Sequence, residues 1–267
     1  MSTQGSEDRR EVEVERRGPA AWLWLNRPHK GNALTLGMVG ELLDALDRCE
    51  NGALDGERDP VRAVVIAGRG DAFCTGADLS RGRELATAPA DRNPFAQLLR
   101  RLQHSPLPVI AAVDGAAFGG ALGLMAAADV VFATPESRFG FSEVRLGLIP
   151  AMISVVVLPK LGPHHARRLF LTARKFGADP ARDFGLVHEV VDPRELDHKV
   201  SVEAQALAQG GPEAIAEAKR LIHEIPTMAD AEAYDHASRR FAERVTSEEA
   251  REGLAAFAEK RPPSWCQ

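Results

Sequence analysis

Cysteine is scarce: Cys49, Cys74 and Cys266 are the only three in 267 residues, and no metal-ligand spacing links them. An odd, scattered set of this kind argues against a disulfide framework and for a reducing compartment, the cytoplasm. Positive charge is not in excess either. Thirty-three Lys and Arg stand against 38 Asp and Glu, a net charge of −5, so the balance is not that of a nucleic-acid binder and any anionic ligand must find a local basic patch. No apolar run reaches the roughly 18 residues of a membrane span, and the opening MSTQGSEDRREVEVERR holds no apolar signal core. The expectation is a chain without membrane or nucleic-acid partners. Tyr234 is the sole tyrosine. His104, His164, His165 and His188 have no spacing that recommends a metal or a triad, so no metal is expected.

What is present is an ordinary globular composition, 45% hydrophobic and 27% charged, long enough to bury a substantial core. EVEVE (11–15) alternates with period two and AWLWLN (21–26) runs apolar, which predicts a hairpin around Gly18-Pro19. Thr35 reads as the N-cap of a helix whose Val39, Leu42, Leu43 and Leu46 share one face. VRAVVIAG (61–68), the apolar part of SPLPVIAAVDG (105–115) and DVVFAT (129–134) read as buried strands. A charged, mobile segment from Ser80 to Asn93 leads into a helix through Leu98, Leu99 and Leu102, and Pro150 is placed to open another. From about Arg194 the pattern turns wholly helical, split by Gly210-Gly211-Pro212, Pro226 and Thr246-Ser247. The fold class is therefore α/β, with a core over 1–193 and a helical region over 194–267.

FGGALGLMAAAD (118–129) poses a chemical question. Glycine costs about 1 kcal/mol against alanine inside a helix, yet three stand at positions 119, 120 and 123. GADL after the first buried strand and FGGA after the second share a design in which a strand ends in a glycine-bearing turn before a helix. Each can present a free backbone N–H, and two such donors converging on one carbonyl oxygen make an oxyanion hole. Tight strand-to-helix turns are the plainer alternative for either loop alone. Glu143, flanked by Phe139, Phe141, Val144 and Leu146, reads as a carboxylate in an apolar pocket with a raised proton affinity, the alternative being a solvated glutamate paired with Arg145. Ser142 and Cys74 have no base nearby in sequence to make nucleophiles of them.

NRPHKGNAL (26–34), GRGDAFCTGADL (68–79), PVIAAVDGAAFGGALGLMAAAD (108–129) and FGFSEVRLGLIP (139–150) resemble, in order and spacing, the four signatures of the enoyl-CoA hydratase/isomerase, or crotonase, superfamily. LTARKFGADPARDFGLV (171–187) is a weaker fifth match. The resemblance implies a spiral of ββα units, a helical C-terminal region used for trimer contacts, a homotrimer or dimer of trimers, and an acyl-CoA substrate with no cofactor, coenzyme A being part of the substrate. It implies that the N–H groups of Ala77 and Gly120 hold the thioester oxygen and that Glu143 moves the proton. The substrate side is implied to comprise Arg27, His29, Lys30 and Ala33 of the NRP loop; Thr75, Gly76, Asp78 and Leu79, with Asp78 also capping the turn; and Phe118, Gly119 and Gly123. Arg81 and Arg83 add local positive charge for the phosphates.

One departure stands out. Hydratases of the family carry a second glutamate three residues after the second oxyanion glycine, and here that residue is Gly123, whose plainer role is close packing of a buried helix. The first expectation is an enoyl-CoA hydratase, followed by a Δ3/Δ2 enoyl-CoA isomerase using the single Glu143, and then a non-catalytic acyl-CoA-binding protein. SEVRLGLIPAMIS with FGGALGL is most similar to the bacterial methylglutaconyl-CoA hydratase-like branch. The absence of a core tyrosine speaks against the decarboxylase members that rely on one.

Overall fold

Valine, isoleucine and alanine fill the central strands with no polar alternation, the signature of a sheet covered on both faces. A computed structural model of the chain describes residues 10–54, 60–80 and 92–266. Its strands are β1 Val12–Arg17, β2 Ala20–Leu25, β3 Ala63–Gly68, β4 Ala72–Cys74, β5 Val109–Val113, β6 Ala116–Phe118, β7 Val130–Ala133, β8 Arg138–Gly140, β9 Phe176–Gly177 and β10 Glu189–Val190. Its helices are α1 Leu36–Glu50, α2 Pro94–His104, α3 Gly120–Ala127, α4 Ala151–Thr172, α5 Ala178–Asp183, α6 Leu196–Gln209, α7 Pro212–Glu224, α8 Asp230–Val245 and α9 Glu248–Glu259.

β1 and β2 form the expected antiparallel hairpin about Gly18, with Val12 opposite Leu25 and Arg17 opposite Ala20. The main sheet runs β1-β2-β3-β5-β7-β10 and is parallel from β2 onward. A second sheet, β4-β6-β8-β9, is built from strands of two or three residues. The chain therefore repeats one unit, a long strand in the first sheet, a short strand in the second and then a helix, as in β5-β6-α3 and β7-β8-α4. This is the spiral of ββα units that the resemblance implied.

Strand alternation explains the two-sided burial. Leu23, Val64, Ile66, Val109 and Val131 point into a core shared with α1 to α4. Trp22, Val65, Ile110 and Phe132 point the other way, beneath Leu196, Val200 and Ala204 of α6. Lys219 fastens α7 to the sheet. Its ammonium pairs with Asp129 at 2.6 Å and donates to the carbonyls of Leu102 and Leu107, which is how a buried cation is accommodated. Thr35 caps α1 by accepting from the Met38 N–H at 3.0 Å, as its position predicts. Pro150 precedes α4, which kinks at Gly162. Among the described residues no helix is long and apolar enough to cross a membrane. Most of the Ser80 to Asn93 segment lies outside the described residues.

Candidate active site

The first loop leaves β4 as Thr75-Gly76-Ala77-Asp78, and the NRPHKGNAL loop lies along it. The Thr75 N–H donates to Gly31 O at 2.9 Å, the Leu34 N–H to Gly76 O at 2.8 Å, and the Asp78 N–H to Leu34 O at 2.9 Å. These bonds skip Ala77, whose N–H has no partner among the described residues. Because the peptide unit is planar and trans, pinning the Gly76 carbonyl to Leu34 turns the Ala77 N–H to the opposite side. Gly76 makes the turn at φ +95°, and a Cβ there would lie 2.8 Å from Phe118 O.

The second loop meets the first at that point. Gly119 has φ 53° and ψ −118°, and its N–H is held by Gly140 O at 3.0 Å. Helix α3 starts at Gly120, whose N–H, one of the orphan donors of a helix N-terminus, has no partner among the described residues. A Cβ on Gly119 would sit 3.2 Å from Glu143 Oε1, so glycine there lets the carboxylate close in. A Cβ on Gly76 would come within 3.6 Å of the Gly120 nitrogen, which fixes how closely the two loops abut. The two free donors and one carboxylate thus belong to a single cluster.

Gly123 stands apart from that cluster. A Cβ there would fall 2.6 Å from Ile153 Cγ2 and 3.4 Å from Leu99 Cδ2, so the residue is a contact point of α3 with α4 and α2. Its expected place among the substrate-facing residues is corrected: the side that a longer residue would occupy is filled by Ile153.

Glu143 opens a short 3-10 turn, Glu143–Leu146, after β8. It is half-buried, its Oε2 is shut off from solvent without a hydrogen-bond partner among the described residues, and burial pushes its carboxyl above the ordinary range. Phe139 and Phe141 are buried behind it in a ring cluster with Phe170 and Phe176. Leu146 turns outward instead of lining the pocket, and Arg145 is exposed with no ion pair to Glu143 among the described residues.

The residues expected at coenzyme A divide. His29 and Lys30 are exposed on a 3-10 turn, and Thr75 and Leu79 are exposed beside them. Ala33 is buried and its carbonyl accepts from Arg27. Arg27 is the second correction. Its guanidinium is buried and bonded to Glu11, Asp78 and Ala33 O, so it presents no charge to a phosphate. Asp78 is held well below its usual carboxyl range, first by the Ser80 hydroxyl and also by Arg27, which leaves it no role as an acid and suits a cap. Phe118 is half-buried with the Lys175 ammonium 5.1 Å from its ring centre, a cation the sequence did not single out. Arg81 and Arg83 lie outside the described residues.

Other candidates fall away. Cys74 is buried and its thiol is pushed up to about 12, so it is no nucleophile at neutral pH. His188 accepts from the Val131 N–H in a structural bond, and no cluster of three or more His, Cys, Asp or Glu that could hold a metal occurs among the described residues. Sequence reasoning missed Leu34 and Phe95, which crowd Gly120, and Ile153, which fills the space beside Gly123.

The enoyl-CoA hydratase/isomerase family model matches residues 17–267. A short-chain-enoyl-CoA hydratase of Clostridium acetobutylicum is 33% identical over 94% of this chain and 95% of its own. A carnitinyl-CoA dehydratase of Escherichia coli K12 is 35% identical over 95% of this chain and 97% of its own. The crystal structure of an enoyl-CoA hydratase from Shewanella pealeana superposes with a TM-score of 0.87 at 34% identity, covering 96% of both chains. With this fold and these matches over nearly its whole length, the chain belongs to the enoyl-CoA hydratase/isomerase family and is an enzyme of it.

Proposed function

We propose that the protein hydrates a 2-enoyl-CoA reversibly to the 3-hydroxyacyl-CoA with Glu143 as its single proton-transfer group. The observation that carries this is the cluster itself, two backbone donors without a partner among the described residues beside a carboxylate whose burial raises its proton affinity. Ala77 and Gly120 would take the thioester oxygen and stabilise the negative charge that develops on it. Water adds its oxygen to C3 as Glu143 accepts its proton. The C2–C3 π electrons move toward the thioester, and Glu143 returns the proton to C2, so one water is added across the double bond. A carboxyl raised above its ordinary range suits both halves of that exchange, since proton transfer is most effective when the group's affinity lies near the working pH. Among the described residues, Lys30 and His29, exposed on the NRP loop, and Lys175 near Phe118 are placed to meet coenzyme A phosphates.

One observation favours a second reading. Ile153 lies against position 123, where a two-glutamate hydratase carries its other carboxylate, and a single carboxylate suffices to carry a proton from C4 to C2. Mass spectrometry of a panel of linear and branched 2-enoyl and 3-enoyl thioesters in deuterated water separates the two. The expected result is a hydroxyl at C3 with deuterium at C2. Exchange with no added water makes the enzyme an isomerase, and no change in any thioester overturns both readings.

We also propose that copies of the chain assemble, as a trimer or dimer of trimers, through the helices that follow Arg194. Tyr234, Phe241 and Phe257 of α8 and α9 are more than 70% exposed, large aromatic side chains that assembly would cover. Sedimentation at micromolar concentration should give an oligomer, and a monomer there would overturn the assignment. A soluble, cytoplasmic enzyme is the setting that fits this reading.

A further inference from the structure

Glu11 belongs to no motif that carries the family resemblance, yet it shares one guanidinium with the oxyanion loop. Arg27 Nε is ion-paired with Glu11 Oε1 at 3.1 Å, while Nη1 donates to Ala33 O at 2.6 Å and Nη2 to Asp78 Oδ2 at 3.0 Å. The other oxygen of Glu11 accepts from the hydroxyl of Thr35, the cap of α1. The other oxygen of Asp78 accepts from the Ser80 N–H and hydroxyl. Asn32 completes the bracket, accepting from the Arg27 N–H and donating to Arg69 O and Ala72 O. One rigid, planar fork therefore ties three segments together: the approach to β1, the NRPHKGNAL loop, and the turn that carries Ala77.

Charge and burial both separate Arg27 from a phosphate. It is 8% exposed, and two carboxylates beside one guanidinium leave the trio with a net negative charge that repels an anion. Position gives it another task. Asp78, which it grips, directly follows Ala77, and Ala33, whose carbonyl it holds, directly precedes Leu34, the residue that pins the Gly76–Ala77 peptide. An oxyanion hole works only while its donors stand about 2.7–3.1 Å from the oxygen as charge develops, and a misplacement of about 1 Å can cost 10²-fold.

We propose that Arg27, clamped between Glu11 and Asp78, is a positioning residue that fixes the direction of the Ala77 N–H toward the thioester oxygen. The proposal rests on the oxyanion-hole reading above. Its test compares wild type, Arg27→Lys and Glu11→Gln on one enoyl group carried by coenzyme A and by pantetheine, which lacks the nucleotide phosphates. Arg27→Lys keeps the charge but loses the fork. It is expected to lower kcat about 10-fold or more, to change KM for the coenzyme A thioester by less than about 3-fold, and to show the same loss on both carriers. Glu11→Gln should move kcat in the same direction by less.

A loss confined to KM for the coenzyme A thioester, absent with pantetheine, would make Arg27 a phosphate ligand and overturn the proposal. So would unchanged kcat in variants whose circular dichroism and melting match the wild type. If Arg27→Lys does not fold, Glu11→Gln carries the same test, and an unchanged kcat there overturns the role. A wild type inactive on every thioester overturns the functional reading and the positioning role together, whereas an active wild type with indifferent variants overturns the positioning role alone.

Discussion

Glu143→Gln is expected to lose about 10²-fold or more in turnover while still binding acyl-CoA, since general acid–base groups contribute about 10²–10⁴. Glutamine keeps the size and the polar end of the side chain but cannot carry the proton between water and C2. The same change should stabilise the fold, and the direction follows from the burial of this group. Its proton affinity is raised by desolvation, so the folded protein binds a proton at Glu143 where the unfolded chain has already lost it. The stability this affinity gives is therefore present below the ordinary carboxyl value of 4.5 and lost as pH rises through the higher folded value. Above that value the wild type holds a desolvated carboxylate whose Oε2 has no partner among the described residues, and glutamine removes the charge. A higher melting temperature for Glu143→Gln at neutral pH, with the difference shrinking toward pH 4, would show the trade of stability for chemistry. Wild-type turnover retained in Glu143→Gln would remove Glu143 from the mechanism.

What could be read in advance followed from residues whose signal is local. Thr35 marks its helix because a hydroxyl at the N-cap has one characteristic bond to make, and it makes it with the Met38 N–H. The runs around Val64 and Ile110 read as buried strands because residues facing both covers are apolar, and the structure places Val64 and Ile66 on one side and Val65 and Ile110 on the other. AWLWLN is the same case, with Leu23 and Leu25 facing the main core and Trp22 and Trp24 facing α6. The ordered motifs singled out Gly119, Gly120 and Glu143, and the fold brings Gly119 against Glu143.

The second sheet was not legible. AFC, AAF and RFG are too short for a period of two to register, and only their pairing with one another makes them strands. Arg27 misled for a related reason. A cation in a phosphate-binding motif reads as a phosphate ligand, and nothing in its neighbours announces that Glu11 and Asp78, distant in sequence, will neutralise it. Gly123 shows the same limit, since Ile153 declares itself a core residue without saying which surface it will fill.

Removing one donor from the candidate hole should cost on the order of 10²–10³ in kcat, and Gly120 offers a way to do so with little damage to the backbone. It is the first residue of α3, the helical position where proline is best tolerated, because the N–H it lacks has no partner within the helix there. Gly119, which precedes it, is the residue type that best withstands the restriction a following proline imposes. Gly120→Pro therefore deletes an N–H with the helix start intact. It also adds a Cβ, which would lie 3.1 Å from Leu34 Cδ1 and 3.4 Å from Phe95 Cζ. Gly120→Ala adds the same Cβ but keeps the N–H, so the ratio of the two variants reports the loss of the donor together with the ring Cδ that takes its place. The expected outcome is a modest loss in Gly120→Ala and a further loss of about 10²–10³ in Gly120→Pro. Equal turnover in the two variants, with both melting cooperatively near the wild type, would mean that the thioester oxygen is not held by the Gly120 N–H.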